Sequence, residues 1–217
     1  PWAPGAPSSF LGIEAPTCTV RLTLANGTSK LYRGSVRAVE DGAAPRLRTV
    51  NALPMESYLR SVVPSESPSS WPADALRAQA VAARTYASFD RAARPSAPWH
   101  TCDTTSCQVY PGYRTYNSAG VVTTTHEAST TDAAIAGTAN QVRYFGGAPA
   151  FTQFSSSNGG WTASGSLAYQ VAKPDPWDAI GNPVHSWSLR VTAERLRPAY
   201  PRGGPPRVVA GGRGPGA

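Results

Sequence analysis

A glutamate in a proline-rich turn is the residue of this chain best placed for acid–base chemistry. Glu66 lies within PSESP, residues 64–68, between two stretches with helical periodicity. Each proline fixes its own φ angle and biases the preceding residue away from helical geometry, so the turn is stiff. A carboxylic acid held on a rigid turn can protonate a leaving group and later accept a proton. The competing interpretation is an ordinary solvated turn glutamate.

Several other kinds of catalytic site are absent from the sequence. It contains no GxxxxGK phosphate loop, no dinucleotide-binding fingerprint and no GxSxG nucleophile motif. A cysteine nucleophile would need Cys107 paired with His126 or His185. The neighbouring Cys102 indicates instead that the Cys107 thiol is not free to react.

The scarcity of carboxylates in the central third of the chain narrows the chemistry further. Glycoside hydrolases normally use two carboxylates. Asp74 and Asp90 lie in a helical pattern and are interpreted as structural, which leaves Asp103 as the candidate for a second acid. This inventory favours a reaction with one acid/base, such as glycosidic cleavage in which the sugar's own hydroxyl is the nucleophile.

The three cysteines allow more than one interpretation. Cys102 and Cys107 are close enough in HTCDTTSCQVY to form a disulfide, which would suit an oxidising compartment. They could also be free thiols, or zinc ligands together with His100, although that spacing matches no standard zinc finger. Cys18 is predicted to be a small buried apolar residue.

The net charge of +7 and the pI near 9.7 favour anionic partners, such as nucleic acid, anionic lipid or acidic wall polymers. The basic residues are spread along the chain and no nucleic-acid-binding signature is present, so nucleic acid is not an expected partner. No apolar run is long enough to span a bilayer. The only methionine is Met55, so we expect the chain to be part of a longer translation product.

The order of the periodic segments predicts an α+β fold. Residues 13–50 form short alternating runs, among them KLYRGSVRAV as one strand, with Asn26-Gly27 as a hairpin turn, and predict an antiparallel meander. Residues 54–63 and 72–93 have helical spacing, and a second β-rich stretch follows, in which Gly146-Gly147 predicts a hairpin turn. We therefore expect antiparallel β regions packed around a central long helix. A stripe of mostly small side chains on that helix is predicted to let another element approach closely. It consists of Leu76, Ala80, Ala83 and Ala87.

The composition also predicts the domain boundaries. Residues 1–12 are predicted to be a disordered tail or linker. Residues 201–217 are rich in glycine, proline and arginine and are predicted to be a disordered or truncated C-terminal tail. Residues 13–200 are left as a single domain.

Four motifs in a fixed order resemble the sporulation stage II protein D family (SpoIID, with the related LytB amidase enhancers). The first is YLRSVVPSESPSSWPADALRAQAVAARTYA at residues 58–87. CDTTSCQVYPG and NQVRYFGGAPAFTQFSSSNGG follow, and then PDPWD. The resemblance covers roughly residues 20–200. It implies a SpoIID-like catalytic domain that acts as a lytic transglycosylase, cleaving peptidoglycan glycan strands to leave 1,6-anhydro-muramic acid ends.

The resemblance also implies roles for individual residues. Glu66 falls on the catalytic glutamate, and Arg84 falls on a helix arginine that supports the site or contacts substrate. No cofactor is expected; zinc is the alternative, because some members carry zinc held by histidine and cysteine near this chain's Cys102 and Cys107. The positions expected along the glycan groove are Gln108, Tyr110, Ser157, Asn158 and Gly159.

The sequence therefore leads to one expected function and one alternative. The first is a secreted or cell-envelope lytic transglycosylase that uses Glu66 alone as acid and base. The alternative is a non-catalytic wall-binding module that stimulates a separate amidase. In either case the expected partners are peptidoglycan glycan strands and other cell-wall hydrolases.

Overall fold

The computed structural model describes residues 12–13, 19–40, 47–196 and 198 of the 217 in the chain. These residues belong to two compact units, Pro1–Gln153 (unit 1) and Phe154–Ala217 (unit 2). The predicted domain boundaries at residues 13 and 200 stay a prediction. The predictions for Cys18 and for the C-terminal tail lie outside the described residues, as does nearly all of the N-terminal tail.

Runs of antiparallel strands and of helices follow one another along the chain, so the predicted α+β class is confirmed. The strands are β1 Gly12–Ile13, β2 Thr19–Thr23, β3 Ser29–Arg33, β4 Ser35–Glu40, β5 Leu47–Ala52, β6 Arg114–Tyr116, β7 Val122–Thr125, β8 Tyr144–Phe145 and β9 Ala148–Pro149. The helices are α1 Met55–Glu66, α2 Ala73–Ala93, α3 Ser129–Ala136 and α4 Ala193–Leu196. None of the helices in the described part of the chain is both long and apolar enough to cross a membrane.

The strands of unit 1 form two antiparallel sheets and a hairpin. One sheet has the order β1-β4-β5, the other has the order β2-β3-β6-β7, and β8 pairs with β9. Gly146 and Gly147 join β8 to β9 with φ angles of 57° and 81°. Positive φ at both central residues is the geometry that a two-residue hairpin turn prefers, so the predicted hairpin is confirmed.

The predicted meander is wrong at Gly34. The run KLYRGSVRAV was expected to form one strand, but β3 and β4 belong to different sheets. Gly34 has a φ of 74°, and a Cβ at this position would collide with the carbonyl oxygen of Ala52. Only glycine takes up such a conformation at little cost, so the chain turns here from one sheet into the other.

The helix that carries Glu66 is longer than predicted. Helix α1 was expected to end before Pro64, but it continues through Pro64 to Glu66. A proline near a C-terminus removes only one hydrogen bond, and its fixed φ suits helical geometry. The Ser67 N–H donates to the Val63 carbonyl at 2.9 Å and closes the last turn. Glu66 is therefore the last residue of α1 and does not lie in a free turn between helices.

The core of unit 1 forms where α1, α2 and α3 meet. Leu59, Val62 and Val63 of α1 are fully buried. They pack in one cluster with small residues of α2 and with Ile135 of α3. The predicted stripe on α2 is confirmed, since all four of its side chains are buried. Because these side chains are small, neighbouring helices can approach the α2 backbone closely.

A buried arginine ties the three helices together. Arg84 of α2 is 1% exposed and forms a two-pronged ion pair with Glu56 of α1, at 2.8 and 2.7 Å. Its guanidinium also donates to the carbonyls of Ile135 and Gln141, each at 3.3 Å. A buried guanidinium needs such partners, because an unpaired charge in the interior is very costly.

Removing the partner carboxylate of Arg84 should therefore destabilise unit 1. In Glu56→Ala, Arg84 keeps only backbone carbonyls. Because Glu56 is itself 40% exposed, we expect a loss smaller than that for a fully buried pair, about 2 kcal/mol. Urea unfolding should show a lower midpoint with an unchanged slope.

The matched control is Asp74→Ala, which breaks the exposed pair with Arg77 on α2. This change should cost about 0.5 kcal/mol or less. Equal midpoint shifts in the two variants would contradict the role assigned to Arg84.

Candidate functional site

Glu66 is anchored through one of its carboxylate oxygens. The backbone N–H of Val109 donates to Oε1 of Glu66 at 2.7 Å. Among the described residues, Oε2 has no hydrogen-bond or ion-pair partner, and the side chain is only partly buried. One oxygen thus fixes the orientation of the carboxylate, while the other stays available for proton transfer.

The segment that holds Val109 is itself clamped by two buried neighbours. Gln108 is fully buried, accepts a hydrogen bond from the Tyr58 hydroxyl at 3.0 Å and donates to the Ala83 carbonyl at 3.3 Å. Tyr110 is 6% exposed, and its ring lies 5.1 Å from that of Tyr58. Burial raises the pKa of both tyrosines well above the usual phenol value, so both hydroxyls stay protonated.

Two further residues position this segment, and the sequence motifs include neither as a site residue. Asn51 of β5 donates to the carbonyls of Arg33 and Ser35 at 2.9 and 2.8 Å, and accepts from the Tyr110 hydroxyl at 2.7 Å. Ser61 of α1 donates to the Gly112 carbonyl at 2.7 Å. The sequence did contain a signal for Ser61: it lies on the apolar face of α1, where a side chain is expected to be buried. Asn51 carries no local signal, because its partners come from distant strands.

A disulfide joins Cys102 to Cys107, with their Cα atoms 5.5 Å apart. The bridge closes the loop that leads directly into Gln108, and the Cys107 N–H donates to the Thr104 carbonyl at 3.0 Å. Disulfide sulfurs are not thiolate ligands, so His100, Cys102 and Cys107 do not fit a zinc ion here. In the described part of the chain, no three histidine, cysteine or acidic side chains are grouped to hold a metal.

The predicted groove residues of unit 1 lie in the interior. Arg84, Gln108 and Tyr110 are 1%, 0% and 6% exposed. Of the two roles implied for Arg84, this position fits support of the helices and excludes direct contact with a ligand. Gln108 and Tyr110 influence Glu66 only indirectly, by holding the Val109 segment in place. The predicted substrate contacts by these three side chains do not fit the structure, because a glycan cannot reach buried groups.

Two surface clefts of unit 1 lie apart from Glu66. One has a volume of about 670 Å³ and lies beside α2, where Arg77 and Arg143 border it. The other, of about 450 Å³, lies between α1 and α3, beside Arg60 and Asp132. Glu66 lines neither cleft, so neither marks the site of acid–base chemistry.

Unit 2 contains a second polar cluster, centred on Asp178. Its carboxylate accepts four hydrogen bonds, and its side chain is only 6% exposed. The donors are Ser157 Oγ at 2.9 Å, Asn158 N–H at 3.2 Å, Asn182 Nδ2 at 3.1 Å and His185 Nδ1 at 2.6 Å. The bonds from His185, Ser157 and the Asn158 backbone, that of His185 first, lower the pKa of Asp178 to about 2.

The SSSNGG residues predicted to face a glycan are used inside this cluster. Ser157 donates its hydroxyl to Asp178, and Asn158 donates its side-chain amide to Asp175 at 2.8 Å. The N–H of Gly159 donates to Ser157 Oγ at 3.2 Å. In place of the groove contacts that the resemblance implies, the structure has a loop held by bonds to Asp178 and Asp175.

Comparison with known proteins identifies the central part of the chain. Residues 43–145 match the family model for Stage II sporulation protein (SpoIID). A Bacillus subtilis protein named "Amidase enhancer" is 35% identical over 144 residues, which are 64% of this chain and 17% of that protein. An uncharacterized protein of Brachyspira hyodysenteriae is 34% identical over 126 residues, 58% of this chain and 31% of that protein. The chain thus spans less than a third of each relative.

These matches confirm the family resemblance predicted from the motifs, and the segment 43–145 belongs to the SpoIID family. The matched segment includes Glu66, the disulfide and the clamped residues Gln108 and Tyr110. It ends before the Asp178 cluster of unit 2.

Loss of the disulfide should destabilise unit 1. The bridge spans a sequence separation of 5, and closing so short a loop contributes about 2 kcal/mol in the chain-entropy account. The double variant Cys102→Ser/Cys107→Ser should therefore unfold at a lower urea concentration than the oxidised chain. Reducing the unaltered chain with dithiothreitol should give the same midpoint as the variant. An unchanged midpoint in both samples would contradict this prediction.

The Asp178 cluster should resist acid. A carboxyl with a lowered pKa stabilises the folded state above its ordinary pKa of 3.8, and this stabilisation is lost as the pH falls towards 2. In NMR spectra, the Asn158 amide should titrate with a midpoint near 2. The variant Asp178→Asn should lack this titration. A midpoint near 4 in the unaltered chain would show that the four hydrogen bonds do not hold in solution.

Proposed function

We propose that this protein is a peptidoglycan lytic transglycosylase in which Glu66 is the single acid and base. The observation that carries the proposal is the asymmetry of the Glu66 carboxylate. Oε1 is held by the Val109 amide at 2.7 Å, while Oε2 has no partner among the described residues. A catalytic acid needs this combination of fixed orientation and one unoccupied oxygen.

The reaction needs no second carboxylate. Protonated Glu66 donates its proton to the glycosidic oxygen as the bond from that oxygen to C1 of the muramic sugar breaks. The C6 hydroxyl of the same sugar then attacks C1, and the Glu66 carboxylate accepts the hydroxyl proton. Glu66 thereby regains its proton, and the product carries a 1,6-anhydro bond without uptake of water. The Val109 N–H stays on Oε1 and stabilises the carboxylate between the two transfers.

Family membership supports this proposal, because the matched segment contains Glu66 within the motif that carries the resemblance. The net charge of +7 would attract the chain to anionic wall polymers. The Cys102–Cys107 disulfide suits a secreted or cell-envelope location, because disulfides persist in oxidising compartments.

A second candidate function is a wall-binding module that stimulates a separate amidase. The observation that favours it is the Bacillus subtilis relative named "Amidase enhancer". Under this alternative the chain would bind glycan strands without cleaving them, and Glu66 would have no chemical role.

Product analysis of a Glu66→Gln variant separates the two candidates. Glutamine keeps the acceptor for the Val109 N–H but cannot donate or accept the catalytic proton. With purified peptide-free glycan strands, the rate of anhydro-end formation should fall roughly a thousandfold. Mass spectrometry detects these ends directly, because an anhydro end is lighter by one water than a reducing end.

The matched control is Glu40→Gln, which removes an exposed carboxylate from strand β4 and should leave the rate unchanged. Retention of activity in Glu66→Gln would refute the catalytic assignment. If the unaltered chain forms no anhydro ends, yet both it and Glu66→Gln stimulate a purified amidase on sacculi, the second candidate is correct.

A further inference from the structure

The Asp178 cluster fixes the ring of His185 in one orientation. The lowered pKa of Asp178 means that its carboxylate is ionised at neutral pH. Because an ionised carboxylate only accepts hydrogen bonds, His185 Nδ1 must carry the proton in the 2.6 Å contact between them. The ring also lies against Gly160, where a Cβ would be 3.5 Å from His185 Cε1.

This arrangement leaves the other ring nitrogen available. In the neutral imidazole, Nε2 carries a lone pair and accepts hydrogen bonds. Among the described residues Nε2 has no partner, and the side chain is 29% exposed. In its neutral form, His185 presents a fixed hydrogen-bond acceptor at the surface of unit 2, held from behind by a buried carboxylate.

Exposed tryptophans lie close to this cluster along the chain. Trp161 follows Gly160, Trp177 precedes Asp178, and Trp187 is two residues beyond His185. They are 42%, 72% and 80% exposed. Single exposed apolar side chains need no explanation, but several grouped in one region mark a binding surface.

The short-range geometry keeps two of these segments side by side. Trp161 and Pro174 form an antiparallel β-bridge, and the Asp175 N–H donates to the Gly160 carbonyl at 2.9 Å. The segment that ends in Trp177 is thus held next to the segment that carries Trp161.

The charge of this region favours a neutral ligand. Unlike the chain as a whole, residues 154–196 carry equal numbers of basic and acidic side chains. The basic residues are Lys173, Arg190 and Arg195, and the acidic residues are Asp175, Asp178 and Glu194. A polyanion would find no excess of positive charge here.

We propose that unit 2 holds a binding site for uncharged sugar residues of a glycan strand. In this site, His185 Nε2 accepts a hydrogen bond from a sugar hydroxyl, and the exposed indoles pack against sugar rings. The negative face of an indole attracts the weakly positive C–H groups on the face of a pyranose ring. Ser157 and Asn158 serve as the scaffold of the site, since their polar groups are already bonded to Asp178 and Asp175.

The ligand identity rests on the proposed function, whereas the site itself does not require that Glu66 cleaves the strand. The competing occupant of an exposed aromatic surface is a partner protein, which would need no fixed acceptor such as Nε2 and no particular sugar. The two occupants are separated by direct measurement of sugar binding.

The test uses the full chain with Glu66→Gln, so that no cleavage disturbs the measurement. The probe is a hexamer of β-1,4-linked N-acetylglucosamine, titrated by isothermal calorimetry. The affinity for the hexamer should fall about tenfold when any one of three substitutions is added: Trp177→Ala, Trp187→Ala or His185→Ala. The matched control is Tyr144→Ala, which removes an aromatic side chain of unit 1 that is 65% exposed and should leave the affinity unchanged.

Absence of binding by the parent chain, or equal affinities in all four variants, would overturn the proposal. The two tryptophan variants keep the test decisive if His185→Ala loosens the loop, because those indoles are mostly exposed. Failure here is distinct from failure of the proposed function. Loss of sugar binding in unit 2 variants tests this site, whereas anhydro-end formation with and without Glu66→Gln tests catalysis.

Discussion

The hydrogen bond from the Val109 amide to Glu66 is the constraint on which the candidate site depends. It joins the end of helix α1 to a segment 43 positions further along the chain. Two further contacts help to keep those two partners in register. Ser61 ties α1 to the Gly112 carbonyl, and the disulfide closes the loop just before Gln108. A catalytic carboxylate needs this rigidity, because small displacements from its productive position are expensive in rate.

Three buried polar groups at motif positions belong to the framework of unit 1 and do not reach its surface. Arg84, Gln108 and Tyr110 lie inside unit 1, where each satisfies partners from another element. Since an unpaired buried donor or acceptor costs more than a made bond contributes, such residues specify one arrangement of the chain. A recognisable motif therefore includes the framework of a site as well as the groups that touch a ligand.

The same principle organises unit 2. Asp178 gathers four donors from a region almost free of regular secondary structure, and so replaces the hydrogen bonds that a helix or sheet would supply. The polar loop turns its side chains towards this carboxylate. One histidine nitrogen and several indole rings near this carboxylate face outward. They differ in chemistry from the serines and asparagine of the polar loop, which stand out in the composition.

Local sequence determined the elements and the acid. Helical spacing located α2, the glycine pair located the β8–β9 hairpin, and the motifs singled out Glu66 and the family of the central segment. Local patterns could not reveal the division between two sheets at Gly34, the continuation of α1 through Pro64 or the partners of Asp178. Tertiary structure decided those, because burial and hydrogen-bond partners depend on residues far apart in the chain. Which polar side chains are left free to bind anything is settled only when the distant partners meet.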